Sequence, residues 1–147
     1  MKSMQNIQRG FSLVSAIFLL VVIAALGTFA VTLSTTQQQS AALDVMGARA
    51  YQAARAGIEW GEYQILQNAG AGFELACNPA GAGGTATQVV ALAGMLANFT
   101  VTVDCTSTVA TEAVTTVTMY QLTSTATQGA VATPDRVERQ MTVTIAR

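Results

Sequence analysis

The sequence predicts an α+β chain: a long amino-terminal helix, apolar enough at its start to cross a membrane, packs further along on a small antiparallel β-sheet. Three observations predict it. An uncharged apolar run fills residues 11–33. Small residues then recur at helical spacing through 37–67. After a Gly/Ala-rich break, segments alternate between β-branched and polar residues. The totals suit one small domain with an appendage: 147 residues, net charge −1, 51% hydrophobic, 10% charged and no histidine. The missing histidine removes the commonest general base and metal ligand. A charge this near zero argues against nucleic acid as a partner, because phosphate binding needs a clustered basic footprint.

Residues 1–10 form a short leader whose only charges are Lys2 and Arg9. Residues 11–33 (FSLVSAIFLLVVIAALGTFAVTL) have about the length of a membrane-crossing helix and contain fourteen Leu, Ile, Val or Phe residues. On an insertion scale these sum to roughly −4 to −8 kcal/mol, an upper bound because only central positions count in full. A buried core helix would show a polar stripe. Here the polar side chains are Ser12, Ser15, Thr28 and Thr32, whose hydroxyls can bond back to the helix. A secretory signal would be shorter and would end in a small-residue cleavage site, and Thr28-Phe29-Ala30 is a poor one. The basic leader leaves the amino terminus in the cytoplasm and sends the rest across, with membrane lipid as the first partner.

The junction Gln8-Arg9-Gly10-Phe11-Ser12-Leu13 places a basic leader, a glycine and a phenylalanine directly before the apolar helix. It resembles the class III signal of type IV pilins and secretion pseudopilins. The resemblance implies that a prepilin peptidase cuts between Gly10 and Phe11 and N-methylates Phe11. Glycine suits such a site because it lets a protease approach the backbone closely. Major pilins carry a glutamate at the place held by Ser15, where it meets the amino terminus of a neighbouring subunit. An ionised group in hydrocarbon is kept only for such a pairing, and serine cannot make it. This departure implies a minor or initiating subunit. Downstream, Ala53-Ala54-Arg55-Ala56-Gly57-Ile58-Glu59-Trp60, the segment Tyr120–Ala126 and Val137-Glu138-Arg139-Gln140 are similar to minor pilins of MSHA (mannose-sensitive haemagglutinin) pilus biogenesis. The implied setting is the bacterial inner membrane, with the carboxyl-terminal domain in the periplasm. Implied partners are other major and minor pilins and the inner-membrane pilus assembly platform.

Residues 34–68 continue the helix beyond the membrane. Leu43, Met46, Ala50, Ala54, Gly57 and Gly61 recur every three or four residues, so a sheet or a neighbouring helix can approach closely. Tyr51, Ile58 and Ile65 lie on an adjoining face, and Arg55 and Glu59 can pair one turn apart. A continuous helix over 11–67 would be about 85 Å long, with Gly27, Gly47, Gly57 and Gly61 as places for bending or melting. Residues 69–88 read as a loop. Gly81-Ala82-Gly83-Gly84 is no phosphate loop, since no Gly-Lys-Ser/Thr follows. Residues 89–147 form the sheet domain. Val89–Leu96 suits either a helix or a strand. Asn98–Cys105 alternates with Phe99, Val101, Val103 and Cys105 on one face, Val114–Thr123 is rich in Thr and Val, and Val137–Ala146 alternates again. Ala126–Asp135, with Gly129 and Pro134, is the connecting turn.

Cys77 and Cys105 both lie beyond the span, where a disulfide persists and contributes about 3–4 kcal/mol by loop closure. Two free buried thiols are the alternative. Two thiols without histidine do not make a zinc site, so no metal or other cofactor is expected. Asn98-Phe99-Thr100 matches a glycosylation acceptor by coincidence. No catalytic residue emerges: a Ser-His-Asp triad lacks its histidine, and a Ser–Lys dyad would have only Lys2. The chain reads as the substrate of a peptidase rather than an enzyme. A type II secretion pseudopilin and a single-pass anchored binding module are the competing readings.

Overall fold

The computed structural model describes residues 11–112 and 114–147. The leader, and with it Gly10 of the expected cleavage junction, lies outside the described residues. Two compact units divide the chain, one ending at Ala42 and the other running Leu43–Arg147. The helix α1 (Phe11–Leu66) fills the described part of the first unit and opens the second. After it come a short helix α2 (Gly72–Cys77) and four strands: β1 (Gly84–Val90), β2 (Thr100–Glu112), β3 (Thr115–Gln128) and β4 (Val137–Ala146). The strands form one antiparallel sheet in chain order, each pairing with the next. The fold is α+β, with one long apolar amino-terminal helix and a four-stranded sheet.

Residues 69–88, expected as a loop, hold α2, a single turn at Pro79–Gly81 and most of β1. The Gly/Ala-rich run before it hides a strand in which Thr85, Thr87 and Val89 are exposed while Ala86 and Val90 are half-buried. The ambiguous stretch Val89–Leu96 divides into the end of β1 and a single helical turn at Gly94–Leu96. β2 and β3 both extend past their expected ends to pair from Thr100↔Thr127 through Glu112↔Thr115. Local composition understates both because their outer ends carry threonine, alanine and glutamate without an apolar alternation.

Within the second unit, Phe99 and, on β2, Val101, Val103 and Cys105 are buried, beside Tyr120, Leu122, Ser124 and Ala126 of β3. Against them α1 buries Gly47, Ala50, Ala53, Ala54, Gly57, Ile58, Gly61 and Ile65. The small-residue stripe is therefore real, with two changes. Leu43 is exposed and Met46 half-buried, since the buried stripe begins at Gly47. Ile58 and Ile65 belong to the core, whereas Tyr51 is exposed, because a straight helix drifts by about 20° per heptad and turns Tyr51 outward. The helix does not melt at its glycines; α1 continues through Gly27, Gly47, Gly57 and Gly61. Close approach explains Gly57 better than bending does. A β-carbon there would meet the Ser124 hydroxyl and stand 2.7 Å from Val101 Cγ1.

Candidate functional site

Two regions carry features that need a functional account. The first is the surface of α1 in the first unit. From Leu13 to Leu33 it buries no leucine, isoleucine, valine or phenylalanine, and the apolar side chains lie on all sides. A core helix would not look like this, and α1 is long and apolar enough to cross a membrane. Two of the expected hydroxyls are turned back: Thr28 donates to the Ala25 carbonyl at 2.9 Å and Thr32 to the Phe29 carbonyl at 2.8 Å. Thr35 and Thr36 both donate to the Thr32 carbonyl at 2.9 Å, and Ser40 donates to Gln37. These bonds hide the hydroxyls from an apolar solvent. Phe11 is the first residue of α1, and Ser15 lies half-buried one turn later.

The second region surrounds the two cysteines. Cys77 ends α2 and Cys105 lies on the inner face of β2. They form a disulfide with Cα atoms 5.9 Å apart, joining residues 28 positions apart in sequence. Ser107 locks the same corner by donating to the Cys77 carbonyl at 2.7 Å and accepting from the Gly84 amide at 2.9 Å. Beside it runs a partly buried polar chain. The Gly83 amide donates to Asn78 Oδ1 at 2.9 Å, Asn78 Nδ2 donates to the Tyr120 hydroxyl at 3.1 Å, and that hydroxyl donates to Glu74. The other oxygen of Glu74 accepts from the Gly70 amide at 2.6 Å. Each member thus has its partners, which such a network must have to be stabilising. Burial, then the hydrogen bond to Glu74, raises the Tyr120 pKa above its ordinary 10.0, so the phenol stays protonated.

A cavity of about 460 Å³ opens over this network, lined by Glu74, Asn78, Thr118, Tyr120 and Arg147 among others. Arg147 also reaches the Ile65 carbonyl at 3.4 Å, placing a cation near the end of α1, where helix carbonyls favour it. Glu74 and Tyr120 already spend their oxygens on one another. The cavity therefore offers a guanidinium and a phenol at its wall, the phenol bonded to Glu74. Among the described residues, no group of three His, Cys, Asp or Glu residues is placed to hold a metal ion.

Sequence reading singled out Cys77 and Cys105, and the structure brings them together. It missed the network beside them, because Glu74 and Tyr120 are 46 positions apart. The available signal was Glu74 three residues before Cys77, one helical turn away and so on the same side. Arg55 and Glu59 pair at 2.9 Å on the exposed side of α1, a geometry worth only about 0.3–0.5 kcal/mol. No family model, curated protein or solved structure matches the chain.

Proposed function

We propose that the chain is a minor pilin-like structural subunit, similar to the MSHA pilus biogenesis protein MshP, and not an enzyme. In this reading prepilin peptidase removes residues 1–10 and methylates Phe11. The apolar start of α1 waits in the inner membrane with its amino terminus toward the cytoplasm, and the disulfide-bonded unit sits in the periplasm. Assembly then moves the helix from lipid into a bundle of similar helices. Little free energy is lost in that exchange, because hydrocarbon is traded for equally apolar packing. Ser15 lacks the carboxylate that a repeating subunit would use, which suits a place at initiation or at a tip.

The observation that carries the reading is one helix with two kinds of surface. Its start exposes large apolar side chains on every side, and its later part buries alanine and glycine in the second unit. An anchor that later becomes a fibre core has this form. The cavity beside Glu74 favours a second reading, a membrane-anchored binding module. Intact-mass measurement and terminal sequencing, with and without prepilin peptidase, separate the two. A chain beginning at N-methylated Phe11 only when the peptidase is present supports the subunit. Retention of Met1 through Gly10 would transfer the lead to the binding module.

A further inference from the structure

We propose that the cavity walled by Glu74, Tyr120 and Arg147 binds a free α-amino acid with a medium-sized apolar side chain, its ammonium against Glu74 and its carboxylate against Arg147. The site lies wholly within the second unit, so the proposal stands whether α1 serves a fibre or anchors a binding module. The cavity's volume, about 460 Å³, falls in the range of small-molecule sites. Two opposite charges in its wall choose the ligand.

Glu74 is 6% exposed and Tyr120 1%. Taking a carboxylate out of water is costly unless a counter-charge or hydrogen-bond donors meet it. Glu74 has two donors, the Gly70 amide on one oxygen and the Tyr120 hydroxyl on the other. Among the described residues it has no ion pair. Each carboxylate oxygen can accept a second bond, so the side chain keeps room for the donors of an ammonium. Arg147 is the cation of the same cavity and is held apart from Glu74. Its backbone exchanges both hydrogen bonds with Thr118, at 2.8 and 2.9 Å, and its guanidinium donates to the Ile65 carbonyl at 3.4 Å. That bond uses one N–H of the guanidinium and leaves the others for a carboxylate.

A ligand with a positive charge alone would be repelled by Arg147, and one with a negative charge alone by Glu74. Burial is the largest cause of the raised Tyr120 pKa. The Glu74 charge adds to it and the Arg147 charge opposes it, so both charges lie near one hydroxyl. A compact zwitterion, with its two charges a few bonds apart, fits that placement. Leu75 and Ala80 supply an apolar wall for its side chain. The polar wall is also set before a ligand arrives. Glu74 is pinned through both oxygens, and Asn78 is pinned by Gly83 and Tyr120. The disulfide of Cys77 fixes the chain one residue before Asn78. A site held in this way gives up little freedom on binding.

The test is isothermal titration calorimetry of L-leucine into the purified full-length chain in detergent, with the disulfide intact. Saturable binding is expected. L-leucinamide keeps the ammonium and lacks the carboxylate, and N-acetyl-L-leucine keeps the carboxylate and lacks the ammonium. Each should bind at least about tenfold more weakly than leucine. Arg147→Gln should erase the preference for leucine over leucinamide, which loss of a merely structural contact would not do. Glu74→Gln should likewise erase the preference over acetylleucine. Leu75→Trp gives a reading that does not depend on the folding of Glu74→Gln. Leu75 is 49% exposed, and tryptophan there should fill the cavity and abolish leucine binding with the circular dichroism spectrum unchanged. No saturable binding of leucine, equal binding of leucinamide or acetylleucine, or undiminished binding to folded Leu75→Trp would each overturn the proposal. Terminal sequencing of the same preparation reads the role of α1 separately. A chain that retains residues 1–10 and binds leucine would sink the pilin-like reading and leave this site standing.

Discussion

Between Leu13 and Leu33, α1 carries leucine, isoleucine, valine and phenylalanine on all sides and buries none of them. Between Gly47 and Ile65 the same helix buries three glycines, three alanines and two isoleucines. The more hydrophobic stretch is thus the more exposed one. What decides burial is the neighbour available to each stretch. Lipid tails or similar helices accept large, irregular apolar side chains. Along its line of closest approach a β-sheet accepts small ones, and the Ser124 and Val101 side chains over Gly57 show how close it comes.

Four experiments would break or sharpen this contrast, beginning with the largest effect. Replacing Cys77 and Cys105 together by serine should lower the stability of the second unit by about 3–4 kcal/mol and leave membrane association unchanged. Urea unfolding can be followed through Trp60, the single tryptophan, whose ring lies 5.1 Å from that of Phe73. Ile23→Arg should do the reverse. It costs about 2.5–3.5 kcal/mol of insertion free energy, read as loss from the membrane fraction, with the Trp60 unfolding midpoint unmoved. If either variant changed both properties, the division between the two stretches would fail.

Alanine at two glycines probes the contrast on a finer scale. At Gly57 the new β-carbon collides with the sheet, and unfolding should show a cost of about 1–3 kcal/mol. At Gly27 nothing lies within 4 Å, so alanine should strengthen the helix by up to about 1 kcal/mol, seen by circular dichroism in detergent. Equal effects of the same sign would contradict the geometry. The smallest effect is alkaline. Because folding raises the Tyr120 pKa, its contribution is fully present below pH 10.0 and is lost as pH rises through the folded value. The unfolding midpoint should decline more steeply above pH 10.0 in the parent chain than in Tyr120→Phe.

Much of this was legible because periodicity is local. The alternation of Phe99, Val101, Val103 and Cys105 fixes the inner face of β2, and the unbroken apolar run fixes the start of α1. The spacing of Ala50, Ala54, Gly57 and Gly61 marks the packed side of the helix. Features that depend on partners far apart in sequence were not legible. β1 follows directly on a Gly/Ala-rich run that masks it, and is a strand because β2 supplies its bonds. Glu74 is one of eight acidic residues in the sequence, and what distinguishes it is Tyr120 and Gly70, which only the fold brings to it. The glycines of α1 suggested weak points because propensity sees their cost alone, and contact with Ser124 and Val101 shows what Gly57 permits.

The shallow packing of α1 has a mechanical consequence. A rod drawn lengthwise through a groove is held by whatever protrudes from it, and alanine and glycine protrude little. Ile58 and Ile65 are the two bulky side chains that α1 sinks into the core. Axial load on the helix would be transmitted to the sheet mainly through them, as by two pegs on a smooth shaft. Slip of one helical turn would need those two side chains to leave their seats and Trp60 to part from Phe73.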